Sequence, residues 1–460
     1  MGKEGLPHDG LHRPEETAKE GKENSPPSEL TPRARLALVG AFGSMFCTVG
    51  FLNAFGIFET YYKEYQLADK SEFTISWIGA INVFCIFSGS ILTGPLIDIS
   101  GPQVMFYLGS LGTVFSIMMT SLCKELYQFI LAQGILLGIS MTLICCPMVA
   151  IISQHFQRQR AAAVGMVIAG SSLGGVIWPI VVHELLQKAK VRFGWTMRIV
   201  GFIMLPILGV SCISARPPAA NPAAPDKESR SGSGSSESTA QDQLRENDNS
   251  TQTDNKTGQK KSLQKIDWSI LRSPVLHLTC FGFFIVYFGM FAPFFFTTSY
   301  AVSEGFSDNL SFYTISIING ASLFGRILPG IVADRYGKFN CCILATGFSG
   351  IIALCWTSVT TVAGLVVWSA AYGFSSGAIL SLQQACAAQI ATPSTIGTVI
   401  GTVMASTSLS ALAGTPISGE LAGKYGFLAL SIYAGVSLLV GTAILVVARL
   451  AQERRLLAAV

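Results

Sequence analysis

Arg326 and Asp334 stand eight residues apart in a stretch that is otherwise mostly apolar. On an α-helix rising about 1.5 Å per residue, that spacing sets the guanidinium about 12 Å deeper than the carboxylate. Asn319 and Ser322 precede Arg326 by seven and four residues, so the three form one polar stripe on a helix face. A cation at membrane depth is costly, and it faces a cavity or a partner. Arg326 is therefore read as a cavity-facing anion site or gating cation, with pairing to a cluster of carbonyls as the bland alternative. Trp178-Pro179 predicts a kink carrying a flat ring, either on a cavity wall or in the lipid belt. Asn82, Gln133, Gln383 and Gln384 also lie at membrane depth, where bonding between helices is the commoner use. No phosphate-cradling loop, metal cluster or nucleophile–base pair stands out, so neither an enzyme nor ATP-driven pumping is supported, and no cofactor is expected.

Helices in a bilayer must hold these residues. Of 460 residues, 50% are hydrophobic and only 13% charged, against about 25% charged in soluble domains. The charges concentrate in residues 1–35, 216–272 and 449–460. A net charge of only +4 leaves no basic footprint for nucleic acid. The eleven cysteines are odd in number and lie mostly in apolar runs, as buried small hydrophobes do. Spans of about 20 apolar residues are expected near 36–58, 75–97, 103–122, 126–150, 160–182 and 196–215. A second set is expected near 275–298, 310–333, 340–360, 363–390, 394–419 and 427–448. The expected fold is an all-α integral membrane protein of twelve helices. Residues 1–35 form a disordered tail, 36–215 one six-helix half, 216–272 a Ser- and Asn-rich linker, 273–448 the second half, and 449–460 a second tail. The first apolar stretch is too long for a signal peptide and reads as an anchor.

The halves repeat one another. Gly94, Asp98 and Gly101 recur as Gly330, Asp334 and Gly337, each pair 236 residues apart. Gly165-Met-Val-Ile-Ala-Gly-Ser-Ser-Leu173 aligns with Gly401-Thr-Val-Met-Ala-Ser-Thr-Ser-Leu409 at the same separation. Parallel repeats of this kind build one class of transporter. Gly134/Gly138, Gly170/Gly174, Gly373/Gly377 and Gly397/Gly401 are pairs of small residues that let helices approach. Basic residues at the span ends favour neither side strongly; with the loop motif they place both termini and the linker in the cytoplasm.

The segment Gly330-Ile-Val-Ala-Asp334-Arg335-Tyr-Gly337-Lys338 resembles the loop signature of the major facilitator superfamily. The resemblance implies a cytoplasmic latch, in which the acid and basic groups pair across helix ends. In the first half the basic positions are Ser100 and Gln103, which puts charge pairing there in question. His155-Phe156-Gln-Arg158-Gln-Arg160, continuing through Gly165, Gly174 and Trp178-Pro179, resembles the fifth helix of the monocarboxylate porter family. Gly40-Ala41-Phe42, Gly50 and Phe55-Gly56 resemble the first helix of its fungal branch. That likeness implies a carrier of small organic solutes, often coupled to protons. Where animal members have a first-helix lysine and an eighth-helix acid, this chain has Asn53 and Ser322.

These departures turn the expectation away from lactate-type symport and towards export of an organic, secondary metabolite across the plasma membrane. Uptake of a monocarboxylate or vitamin-like solute is the runner-up, and a transporter-like sensor the alternative of another class. The solute, anionic or polar, is expected at Arg326, with Asn53, Asn319, Ser322 and Trp178 as neighbours. Asn309-Leu-Ser311 is a glycosylation sequon in an expected external loop.

Overall fold

The computed structural model describes residues 31–214 and 268–453. Most of both tails and of the linker lies outside the described residues. Among the described residues, ten helical runs are long and apolar enough to cross a membrane. They are α1 (Pro32–Gln66), α2 (Thr74–Ser100), α3 (Pro102–Thr120), α4 (Leu126–His155), α5 (Arg160–Leu186), α6 (Phe193–Ser214), α7 (Pro274–Ser303), α8 (Asp308–Tyr336), α10 (Val362–Ile390) and the long run Ile396–Gln452. That last run breaks at Gly426, whose φ of 78° is non-helical, into α11 (396–425) and α12 (427–452). A shorter apolar helix, α9 (Lys338–Leu354), stands between α8 and α10. Each of the twelve expected spans coincides with one of these segments.

The ends differ in detail. Helix α1 begins at Pro32, with the Thr31 hydroxyl accepting from the Ala34 amide, inside the stretch expected to be tail. Trp268–Arg272, expected to belong to the linker, is a 3₁₀ turn. Asn309 lies in the first turn of α8, not in a loop. Helix α1 is also interrupted at Thr48 (φ −96°, ψ −91°) and again at Asn53–Ala54, so Asn53 sits at a break in the helix.

The repeat appears as repeated packing. Helix α1 lies on α5 and α6 as α7 lies on α11 and α12, and α3 on α4 and α6 as α9 on α10 and α12. Helices α4 and α10 are the inner ones: 78% and 67% of their most apolar windows are buried, against 33% for α2 and α8. Between the halves, α2 packs on α11 and α5 on α8, two crossings that the repeat exchanges. The Ser214 hydroxyl at the end of α6 lies against Gly40 of α1, and Arg449 of α12 donates to Asn340 Oδ1 of α9 at 2.9 Å. The described ends of the two halves thus share one face of the molecule with the α2–α3 and α8–α9 turns.

Lipid tails supply no hydrophobic drive for helix association, so close packing of small residues must. A Cβ on Gly170 would fall 2.2 Å from the Phe42 carbonyl oxygen of α1, whereas one on Gly209 of α6 meets nothing within 4 Å. Gly170→Ala should therefore lose about 1–3 kcal/mol by overpacking, while Gly209→Ala should be neutral or gain up to about 1 kcal/mol of helix propensity. Thermal unfolding of the purified variants in detergent checks this; equal melting curves would contradict it.

Candidate functional site

Two carboxylates close the face that carries the α2–α3 and α8–α9 turns. The first amides of any helix lack intrahelical partners, and the helix dipole makes that end positive. Asp334 of α8 accepts from the Ala161 and Ala162 amides at the start of α5, at 2.9 and 2.8 Å. Asp98 of α2 accepts from the Gly397 and Thr398 amides at the start of α11, at 2.8 and 2.7 Å, and from the Thr398 hydroxyl at 2.6 Å. Positions 161 and 397, like 162 and 398, are 236 apart, so one latch is repeated in both halves and each acid caps a helix of the other half. Both acids are met by backbone amides, so Asp98 has partners although its half lacks the basic positions. Arg335 is exposed, its guanidinium 5.6 Å from the Tyr336 ring, and Lys338 opens α9. In addition, Arg160 reaches across to the Ala388 carbonyl at 2.6 Å.

Glycine makes the approach feasible. A Cβ on Gly94 would lie 2.4 Å from the Gly397 carbonyl oxygen, and one on Gly330 2.6 Å from that of Ala161. Gly101 (φ 81°) and Gly337 (φ 99°) turn the chain directly after each acid-bearing helix, in backbone conformations that other residues rarely adopt.

Deeper in the same α5–α8 crossing lies the expected polar stripe. Arg326 is 3% exposed and donates through Nη1 to the Ile168 carbonyl at 2.7 Å and to the Ser171 hydroxyl. The Ser172 and Ser322 hydroxyls are 2.6 Å apart. Asn53 Nδ2 reaches the Ser171 carbonyl at 3.5 Å. A Cβ on Gly175 would meet Asn53 Nδ2 at 2.8 Å and Asn319 Oδ1 at 2.9 Å. Ile168, Ser171, Ser172 and Gly175 are spaced i, i+3, i+4 and i+7, one face of α5. Asn53, Asn319, Ser322 and Arg326 therefore do come together, but against this face. The expectation of a cavity-facing Arg326 is corrected: in this conformation a helix carbonyl and a hydroxyl hold it between the halves, and its Nε has no hydrogen-bond partner.

Trp178 needs a second correction. It is 1% exposed and neither walls a cavity nor meets lipid. Its Nε1 donates to the Phe46 carbonyl at 2.9 Å, and its ring packs on Phe46 and edge-on to Phe51. The residues that sequence reasoning missed are the partners on α5 and α11. The 236-residue offset, carried on to 161 and 397, was the available signal for the latch.

Two helical halves latched at one end, with polar groups sandwiched along their crossing, define a membrane carrier of the alternating-access type. The chain belongs to the major facilitator superfamily, whose family model matches residues 36–363. It is 43% identical to the agnestins efflux protein AgnL12 of Paecilomyces divaricatus over 96% of this chain and 93% of that one. It is 42% identical to an MFS-type transporter of Aspergillus fumigatus over 92% of this chain and 94% of that one. To the aspyridones efflux protein apdF of Emericella nidulans it is 38% identical, over 91% and 78% respectively. The solved human organic anion transporter MFSD10 (TETRAN) superposes with a TM-score of 0.62 at 14% identity, covering 90% of this chain and all of that one, which bears on the fold alone. The protein is a transporter and not an enzyme.

Replacing either acid should loosen the latched end. Asp98→Asn or Asp334→Asn removes charge-assisted hydrogen bonds worth about 1–3 kcal/mol, a shift of about ten-fold in the open-to-closed ratio. Spin labels on Gln157 and Ser394, both exposed at this end, should show a longer-distance population in each variant and a larger one in the double variant. Unchanged distance distributions would remove the latch role.

Proposed function

We propose that this transporter exports an organic secondary metabolite across the plasma membrane, with the latched end, both termini and the linker in the cytoplasm. The observation that carries the direction and the cargo class is the identity of 43% and 38% to two proteins named for efflux of fungal metabolites, over more than nine-tenths of this chain. Geometry is in keeping with it. With the acids seated on the α5 and α11 amides the inner end is shut; releasing them lets the halves rock and exposes solute to the cytoplasm. The halves approach through glycine, so a small rotation separates backbones without unmaking either bundle.

We further assign the chain to a monocarboxylate porter-like branch, on the strength of the His155 to Pro179 segment. We take the proton as its coupling ion, as the same resemblance suggests. Lactate-type symport is disfavoured because Asn53 and Ser322 stand where that mechanism uses a lysine and an acid. Arg326 becomes the gating cation of this reading. It grips Ile168 and Ser171 in the latched conformation and is free for an anionic or polar solute group once α5 and α8 part.

Accumulation in inside-out vesicles tests the proposal, using agnestins, aspyridones and simple monocarboxylates as cargo. Gradient-dependent uptake of a metabolite, abolished by a protonophore, is expected. Arg326→Ala should lower it about ten-fold or more, since it removes the cation and the charge-assisted bonds across the crossing, leaving the Ser171 hydroxyl bonded only to the Ile168 carbonyl of its own helix. Accumulation of monocarboxylates alone would reverse the cargo assignment. Binding without flux in reconstituted liposomes would mark a sensor, and unchanged flux in Arg326→Ala would strip that residue of its role.

A further inference from the structure

The lipid-facing side of α8 ends on a cation. Phe324, Leu328, Ile331 and Val332 are exposed and, with the exposed Arg335, are spaced i, i+4, i+7, i+8 and i+11, one face of the helix. Eleven residues at about 1.5 Å each span about 16 Å, close to half of a ~30 Å hydrocarbon core. The stripe is therefore as deep as the acyl chains of one leaflet, and Arg335 stands where their headgroups begin. Its guanidinium lies 5.6 Å from the ring of Tyr336, which is also exposed and suits that interface.

This corner holds more cations than one acid can balance. Lys338, half-buried at the start of α9, lies within electrostatic reach of Asp334 and Arg160, and Arg335 follows Asp334 in the chain. Three basic groups thus accompany a single carboxylate, both of whose oxygens already accept from the Ala161 and Ala162 amides. At the opposite end cations are matched in pairs, as Lys70 with Asp69, Lys188 with Glu184 and Lys424 with Glu420. The repeat supplies an internal comparison. Ile99, Pro102 and Ile396 stand 236 residues from Arg335, Lys338 and Arg160. The equivalent α2–α3 corner therefore keeps exposed apolar residues, Leu92 and Leu96, and has none of the three cations.

We propose that the α8–α9 corner binds an anionic phospholipid of the surrounding leaflet. The acyl chains lie along the α8 stripe, the phosphate meets Arg335, and the remaining negative charge of the headgroup offsets Lys338 and Arg160. A zwitterionic lipid presents the same phosphate but brings a cation of its own, which the corner repels. The planar guanidinium suits a phosphate, since it can offer two parallel N–H donors. The lipid neutralises a surplus that the latch leaves over, and it does so in one half only, because the repeat-related corner has no such surplus. The inference goes beyond the transport reading and does not depend on the cargo.

The test is native mass spectrometry of the full chain, purified in detergent with equal amounts of phosphatidylserine and phosphatidylcholine. The unaltered chain should retain the serine lipid over the choline lipid by about twenty-fold or more, as two cations near a membrane surface allow. Arg335→Gln should cut that preference to about five-fold, while Arg335→Lys should keep most of it. Arg335→Gln combined with Lys338→Gln should bring it near parity. Ile99→Gln, at the repeat-related position, should leave it unchanged. Arg335 is exposed, so its single variants should fold and carry the test alone if the double variant does not. Equal retention of the two lipids by the unaltered chain would overturn the proposal. So would a preference undiminished in Arg335→Gln, or one that Ile99→Gln lowers as much. Millimolar phosphoserine should leave the lipid in place; its displacement would mark a site for free anions and overturn the lipid assignment. The measurement does not read transport, so a negative result leaves the carrier reading standing.

Discussion

The structure depends on the unpaired amides that begin any helix. At the starts of α5 and α11 they sit at the boundary between the two halves, and each meets an aspartate from the opposite half. An acid accepting two amides at a positive helix end combines charge-assisted hydrogen bonds with dipole attraction. In the reading proposed above, these bonds hold one end shut and, being few, let it open without large cost. Amide capping serves both acids alike, whereas basic partners at the motif's own positions could serve only the second half, because the first has Ser100 and Gln103 there.

Glycine is the second constraint, and it follows from the first. The carboxylates reach the facing amides only if the helices nearly touch. Gly94 and Gly330 sit one turn before each acid and remove the Cβ that would strike the partner's backbone. The same device recurs where Gly165 faces the Arg326 carbonyl and Gly401 that of Ser90, positions again related by the repeat. Ser90 and Arg326 are themselves equivalent. One donates a hydroxyl to the Gly401 carbonyl at 2.9 Å, while the other sends a guanidinium to α5. Duplication thus built two similar crossings and left one of them with a charge.

That charge explains why the crossing can serve as more than packing. A buried guanidinium with five donors is incompletely satisfied by one carbonyl and one hydroxyl, and its Nε has no partner. Asn53, at a break in α1, and Asn319 and Ser322 on α8 cluster around the same face of α5. Polar groups gathered where two rigid halves meet are rearranged whenever the halves part. Trp178, by contrast, is tied to α1 within one half and stiffens that half.

Much of this was written in the residue order. Apolar run lengths determined the membrane class and all twelve spans, because a bilayer admits only helices of about 20 apolar residues here. The 236-residue offset determined the repeat, and helical spacing determined that Asn319, Ser322 and Arg326 share a face. What that face meets was not legible, since it meets backbone carbonyls and amides, which every residue carries and no residue type advertises. For the same reason the sequence pointed Asp98 and Asp334 towards basic side chains and gave no sign that both would cap helix starts, although Lys338 does lie beside Asp334. Only the tertiary arrangement, by bringing segments some 130 to 300 positions apart into contact, decided that Arg326 is sealed in this conformation and that Trp178 is interior.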